Sequence, residues 1–170
     1  MDNKYRDLLK QIEELKEQVE KLEKESDTVS NSEKEAPAGK KSTRIKDYHW
    51  LDKKILIVED NDVNYLILQN ILKKTHAQLI WAKGGMMALE ICKSDHDIDI
   101  VLMDIMIPNF DGISATQKIR EIRPDLPVII QTAYPSPENK SRSREAGCSG
   151  FLEKPINKDK LLNMISEHIL

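Results

Sequence analysis

Cysteine is scarce in this chain. Its 170 residues include two cysteines, Cys92 and Cys148, and these do not form a CxxC pair. Zinc sites and disulfide frameworks both need more cysteines at closer spacing. The sequence therefore argues against both kinds of site, and it favours a reduced, cytoplasmic setting.

Long apolar runs and basic runs are also missing. No stretch approaches the ~20 apolar residues that a membrane span needs, and no apolar segment opens the chain. The formal net charge is -3, and no run of Lys and Arg is interleaved with aromatic residues. Proteins that bind nucleic acid usually carry such a basic surface. We therefore expect neither direct membrane contact nor nucleic-acid binding.

The first 50 residues contain two kinds of segment. Residues 1–25 place apolar side chains at alternating spacings of three and four, the pattern of a coiled coil; these are Tyr5, Leu8, Ile12, Leu15, Val19 and Leu22. The pattern favours a homodimer through this N-terminal helix. A fraying amphipathic helix or a docking segment is the alternative, because isolated helices of this length are marginal in water. Residues 26–50 are polar and charged without apolar periodicity, which predicts a flexible linker.

Residues 51–170 alternate short apolar runs with stretches of helical period. The runs lie at 55–58, 78–81, 98–103, 127–130 and 150–152. Three apolar stripes of helical spacing lie between and after them, at Val63, Leu66, Ile67 and Ile71; at Ala88, Leu89 and Cys92; and at Leu161, Leu162, Ile165 and Ile169. Apolar strands alternating with helices predict an α/β domain, a doubly wound (βα)5 fold with a five-stranded parallel sheet. In such folds, sites lie at the carboxyl ends of the strands.

Polar side chains follow four of the five runs. Glu59 and Asp60 follow the first, Asp104 ends the third, Thr132 follows the fourth and Lys154 follows the fifth. Three converging carboxylates need a cation, and an oxygen-only ligand set selects magnesium or manganese over zinc. A cation, an ammonium and a hydroxyl around one carboxylate suit phosphoryl transfer, with Asp104 as the nucleophile.

Four motifs in order carry a family resemblance. They are KILIVEDNDVN at 54–64, DIVLMDIMIPNFDG at 99–112, QTA at 131–133 and AGCSGFLEKP at 146–155. From about residue 52 to 170 the chain resembles the receiver domain of two-component response regulators, particularly receivers attached to hybrid sensor histidine kinases. The resemblance implies a flavodoxin-like fold and a phosphorelay function.

The resemblance also implies roles for individual residues. Glu59 and Asp60 would hold Mg²⁺, Asp104 would bind the ion and accept the phosphoryl group, and the backbone carbonyl of Met106 would complete the protein ligands. The donor would be a phosphohistidine on a sensor histidine kinase or a histidine phosphotransfer protein. Catalysis would be limited to the domain's own phosphorylation and dephosphorylation.

Four further residues take roles by the same resemblance. Thr132 and Lys154 would contact the phosphoryl oxygens, and Phe151 would be the aromatic residue that turns inward on activation. Core filling is the alternative role for Phe151. A cis peptide bond is expected before Pro155.

Two other functions remain open for a domain of this kind. One is a catalytically silent receiver-like module that works by protein contact, against which the complete set of site residues argues. The other is a phosphatase with an aspartyl nucleophile, which would usually have a second acid where Met106 stands. A dinucleotide-binding domain is disfavoured because no GxGxxG follows the first strand.

Overall fold

The computed structural model describes residues 48–169, which form alternating strands and helices. The strands are β1 (Lys54–Val58), β2 (Gln78–Ala82), β3 (Ile100–Asp104), β4 (Val128–Thr132) and β5 (Gly150–Glu153). The helices are α1 (Asp62–Leu72), α2 (Gly85–Ser94), α3 (Gly112–Ile122), α4 (Pro137–Glu145) and α5 (Lys158–Ile169), and a 3-10 turn (Lys73–Thr75) follows α1. The predicted coiled coil and most of the predicted linker lie outside the described residues.

The strands form one parallel sheet in the order β2-β1-β3-β4-β5. The central strands β1, β3 and β4 are apolar on both faces and almost completely buried, because helices cover both sides of the sheet. Each face carries its own hydrophobic cluster. The predicted doubly wound α/β fold is confirmed. No helix within residues 48–169 has the length and apolarity to cross a membrane.

The folded region begins before β1. Trp50 is buried, and its backbone N–H donates to the carbonyl of Thr75 at 2.7 Å. The ring of Tyr48 lies 5.3 Å from that of Trp50 and packs against the same cluster. The last three residues of the predicted linker are therefore part of the packed domain.

Helix α1 begins at a side-chain cap and buries a face that the apolar stripe did not predict. The side chain of Asn61 accepts hydrogen bonds from the backbone N–H groups of the first turn. Leu68 and Leu72 are buried against the sheet. Val63, Leu66 and Ile67, which belong to the predicted stripe, are 64%, 56% and 48% exposed.

Helix α4 has almost no apolar surface. The Ser136 side chain caps it by accepting from the N–H of Asn139, and Pro137 occupies its first position. Ser143 is its buried residue and donates to the carbonyl of Asn139 at 2.6 Å, and Ala146 is buried directly after it. The scarcity of apolar residues over 137–145 predicts that this helix is only weakly attached to the core.

Three aspartates lie near the amino end of the sheet, and two lysines form ion pairs with them. The Lys54 ammonium lies 2.8 Å from Asp95 and 3.7 Å from Asp97. The Lys53 ammonium lies 3.4 Å from Asp99, which also accepts the backbone N–H of Lys54 at 2.7 Å. These carboxylates have partners on the protein itself.

Candidate functional site

Three carboxylates meet at the carboxyl end of the sheet. Glu59 follows β1, Asp60 is next in the chain, and Asp104 is the last residue of the neighbouring strand β3. One oxygen atom from each lies within 4.8 Å of the others. Glu59 is fully buried and Asp104 is 4% exposed, whereas Asp60 is exposed. The structure thus brings together the three acidic residues that the sequence placed at this edge.

Lys154 follows β5 and reaches across to two of these carboxylates. Its Nζ lies 2.7 Å from Oε2 of Glu59 and 2.5 Å from Oδ2 of Asp104. Burial lowers the pKa of the Lys154 ammonium, but the hydrogen bonds to Asp104 and Glu59 outweigh burial and leave its pKa above the ordinary value. Lys154 is therefore firmly protonated. The Lys154–Pro155 peptide bond is cis, as the resemblance implied.

The positive charge and hydrogen bonds around the Glu59 carboxyl group do not offset its burial. Burial raises the pKa of its carboxyl group, and the nearby charge of Asp104 adds to the rise. Hydrogen bonds from Lys154 and Asn64 oppose the rise without cancelling it. The Asn64 amide donates to Oε1 of Glu59 at 3.0 Å. The sequence had given Asn64 no chemical role.

A hard divalent cation fits this set of donors. Among the residues that the structure describes, one ammonium, that of Lys154, lies within ion-pair distance of these acids. It contacts Glu59 and Asp104, so negative charge remains uncompensated. The side-chain ligands are all carboxylate oxygens, the atoms that Mg²⁺ prefers. Neither His nor Cys joins the cluster. Glu59, Asp60 and Asp104 are the residues that could hold the ion.

A backbone N–H group in the loop between β3 and α3 binds the Asp104 carboxylate. The N–H of Met106 donates to Oδ1 of Asp104 at 3.0 Å, while the Met106 side chain is exposed. Gly112 opens α3 directly against this strand end, where a Cβ would lie 1.9 Å from the carbonyl oxygen of Asp104. Asp111 caps α3 by accepting the N–H groups of Ile113 and Ser114. The site therefore requires glycine at position 112.

Thr132 and Phe151 lie on the two neighbouring strands. Thr132 is buried at the end of β4, one residue past Gln131, which is the register partner of Asp104. Its Oγ1 accepts the N–H of Tyr134 at 3.0 Å. Phe151 is half-buried on β5 and packs against one hydrophobic cluster. The switch roles of Thr132 and Phe151 stay predictions.

Sequence reasoning also missed a contact to the site from β2. The indole Nε1 of Trp81, at the end of β2, donates to the backbone carbonyl of Glu59 at 2.8 Å. A hydrogen bond between a side chain and a backbone group 22 positions away leaves no periodic signal in the sequence. It becomes visible only when β2 lies beside β1.

Comparison with known families assigns the domain. The response regulator receiver domain family matches residues 55–166. The chain belongs to this family. The receiver domain covers most of the residues that the structure describes, and the predicted family is confirmed.

Two curated relatives illustrate the contexts in which such receivers occur. The autoinducer 2 sensor kinase/phosphatase LuxQ of Vibrio parahaemolyticus is 37% identical over 123 residues, which are 71% of this chain and 14% of LuxQ. The polar-differentiation response regulator DivK of Brucella ovis is 29% identical over 122 residues, which are 70% of this chain and 98% of DivK. The chain thus spans a small part of one relative and nearly all of the other.

Two solved receivers share the fold. The receiver domain of the sensor histidine kinase PA1611 from Pseudomonas aeruginosa, with magnesium in its active-site cleft, is 28% identical with a TM-score of 0.64, over 69% of this chain and 97% of that one. The receiver of Ssk1 from Saccharomyces cerevisiae was crystallised with the histidine phosphotransfer protein Ypd1. It is 29% identical with a TM-score of 0.64, over 69% of this chain and 89% of that one.

Proposed function

We propose that this receiver is a magnesium-dependent phosphoacceptor in a phosphorelay, in which Asp104 takes a phosphoryl group from a phosphohistidine. Glu59, Asp60 and Asp104 would hold Mg²⁺, together with the backbone carbonyl of Met106. The observation that carries the proposal is the charge deficit at the carboxyl edge: of the three carboxylates, the two buried ones share the ammonium of Lys154, and Asp60 has no ion pair among the described residues. Buried charges in proteins are paired or coordinate metal ions, and one ammonium does not balance the charge of this group of carboxylates.

The reaction would join a carboxylate oxygen of Asp104 to phosphorus while the phosphorus–nitrogen bond of the phosphohistidine breaks. The imidazole keeps the bonding electron pair. Lys154, which lies 2.5 Å from Oδ2 of Asp104, would then face the oxygens of the new acyl phosphate. Bound Mg²⁺ would neutralise charge on the phosphoryl oxygens. Thr132 would donate its hydroxyl proton to another of those oxygens.

Two findings on relatives support the ion and the donor. The PA1611 receiver holds magnesium in its cleft, and the Ssk1 receiver was crystallised with a histidine phosphotransfer protein. We infer a phosphohistidine donor on a sensor kinase or on a phosphotransfer protein of that kind. Output would pass through protein contacts, with Thr132 and Phe151 as switch residues. Dimerisation through residues 1–25 is part of the same proposal.

Intact-mass measurement after incubation with Mg²⁺ and acetyl phosphate tests the proposal. We expect the wild-type protein to gain the mass of one phosphoryl group. Asp104→Asn, or wild type with the magnesium chelated, should gain none. An unchanged wild-type mass, or an equal gain in Asp104→Asn, would overturn the proposal and would favour a silent receiver-like module.

The donor is tested separately with a phosphorylated histidine phosphotransfer protein. Transfer should move the label to the wild-type receiver and not to Asp104→Asn. A receiver that accepts phosphoryl groups from acetyl phosphate but from no phosphohistidine protein would refute the donor and leave the acceptor in place.

A further inference from the structure

Trp81 is the next-to-last residue of the edge strand β2, and its side chain contacts the loop that carries Glu59 and Asp60. The Trp81 ring is stacked on the ring of Tyr65 in α1, with centroids 3.9 Å apart and planes 4° from parallel. The same indole donates its N–H to the backbone carbonyl of Glu59 at 2.8 Å. Trp81 therefore connects β2, α1 and the residue that follows β1.

The carbonyl that Trp81 holds belongs to the peptide group joining Glu59 to Asp60. These two residues are the consecutive acidic members of the proposed magnesium site. The N–H of Glu59 donates to the carbonyl of Ala82 at 3.0 Å, so hydrogen bonds to β2 hold Glu59 through both its N–H and its carbonyl. Rotation of the Glu59–Asp60 peptide would change the direction of Asp60 relative to Glu59. The indole hydrogen bond opposes that rotation.

A second contact ties the same strand end to the start of α1. The Lys83 ammonium lies 4.3 Å from the centre of the Trp81 ring and 2.7 Å from Oδ1 of Asp62. Asp62 is two residues past Asp60 and opens α1. The loop between β1 and α1 is thus held against β2 on both sides of Asp60.

Covering the edge of the sheet requires only the apolar ring of a tryptophan and no hydrogen bond from its N–H. Stacking on Tyr65 provides that cover. The N–H is directed at the one peptide group that lies between two proposed metal ligands. Groups that orient metal ligands from outside the coordination sphere commonly change metal affinity about 10- to 100-fold when they are removed.

We propose that Trp81 is a positioning residue for the magnesium site, acting through the peptide group between Glu59 and Asp60. The inference rests on the proposed function, because it takes Glu59 and Asp60 as ligands of the ion. Trp81 would not touch the ion or the phosphoryl group. It would set the relative direction of two ligands before the ion arrives, which lowers the cost of binding.

Magnesium affinity, measured by calorimetric titration of the full chain, tests the inference. Trp81→Phe keeps an aromatic ring beside Tyr65 and removes the N–H donor. Tyr65→Phe is the matched control, since it keeps the stacked ring and removes a hydroxyl that contacts Gln69 at 3.3 Å and not Glu59. We expect Trp81→Phe to weaken Mg²⁺ binding about 10-fold, at the lower end of that range, because the hydrogen bond acts on a peptide group and not on a ligand side chain. Tyr65→Phe should stay within about twofold of wild type.

A second test uses NMR spectroscopy of the wild-type protein, so it does not depend on whether a variant folds. The indole N–H proton resonance of Trp81 should move on addition of Mg²⁺ with the same dissociation constant that calorimetry gives. The resonance of Trp50, buried in the core, should stay in place. Thermal unfolding without magnesium accompanies both variants, because a purely structural tryptophan would lower the midpoint and leave the dissociation constant unchanged.

Three results would overturn the inference. They are equal magnesium affinity in Trp81→Phe and wild type, an equal loss in Tyr65→Phe, and a Trp81 resonance that does not move at saturating Mg²⁺. Each of them leaves the proposed function intact if wild type binds the ion. A wild type that binds no Mg²⁺ at millimolar concentration would instead remove the proposed function, and this inference with it.

Discussion

The two ends of the sheet each carry three carboxylates, yet their charges are balanced differently. At the amino end, Asp95, Asp97 and Asp99 lie beside the ammonium groups of Lys53 and Lys54. The hydrogen bond from Lys54 holds the pKa of Asp95 below its ordinary value. The positive charge of Arg123 lowers the pKa of Asp95 further, so three positive groups of the protein face these three carboxylates.

At the carboxyl end the balance is reversed. Glu59 and Asp104 share the ammonium of Lys154, Asp60 has no ion pair among the residues that the structure describes, and burial raises the pKa of Glu59. The number of acids is the same at the two ends. What distinguishes the carboxyl end is burial together with a shortage of positive charge among the described residues, and these two properties support the proposed cation site.

Removing the lysine at each end should give the largest difference between them. Lys154→Gln should slow phosphorylation by acetyl phosphate at least about 100-fold, because a donor aimed at the charge of the transition state is lost. Lys54→Gln, the matched control, should phosphorylate at the wild-type rate. Time courses of intact mass measure both rates. Equal slowing in the two variants would show that the two ends of the sheet do not differ in this way.

Neutralising one carboxylate at each end should change stability in opposite directions. Glu59→Gln should raise the free energy of unfolding without magnesium by about 1 kcal/mol, since it removes a buried charge whose raised pKa shows that ionisation is unfavourable there. Asp99→Asn should lower it by about 0.5 kcal/mol, because its bonds to Lys53 and to the Lys54 backbone lose their charge.

Urea denaturation at neutral pH, with magnesium chelated, measures both changes. The Glu59→Gln variant should also lose magnesium affinity, so that its advantage disappears when the ion is added. Destabilisation by both substitutions would contradict the account of the carboxyl end.

The smallest expected effect concerns pH at the amino end. Because the folded-state pKa of Asp95 is depressed by Lys54, its contribution to stability is present above the unfolded-state pKa of about 3.9 and is lost as pH falls through the lower folded-state pKa. Asp95→Asn should therefore lose less stability than wild type between about pH 4 and pH 2. Denaturation curves recorded across that range give the change of the free energy of unfolding with pH. An identical pH dependence in wild type and Asp95→Asn would refute this role of Asp95.

Much of the fold and the site could be predicted from the sequence because burial and topology leave local signals. Strands apolar on both faces appear as continuous runs, and the carboxyl ends of parallel strands meet at one edge. Glu59 and Asp104 directly follow a run and Lys154 lies two residues past one, so their convergence followed from the order of the elements. The position of Thr132 at the end of β4 followed in the same way.

Two features could not be predicted because they depend on how the elements are packed. Helix α1 is apolar on more than one face, so periodicity located the helix and selected a stripe that includes the exposed Leu66 and Ile67 over the buried Leu68. The contact of Trp81 with Glu59 depends on β2 lying beside β1, which no local pattern encodes. The hydrogen bond from Asn64 to Glu59 could not be predicted for the same reason, because it depends on the turn between β1 and α1.

A magnesium titration followed by backbone amide resonances tests the comparison most directly. The account predicts that one ion saturates the protein, that the resonances of Asp60 and Met106 move with a common dissociation constant, and that those of Asp97 and Asp99 do not. Movement at the amino end with equal affinity, or no movement at the carboxyl end, would contradict the claim that buried, uncompensated charge defines the site.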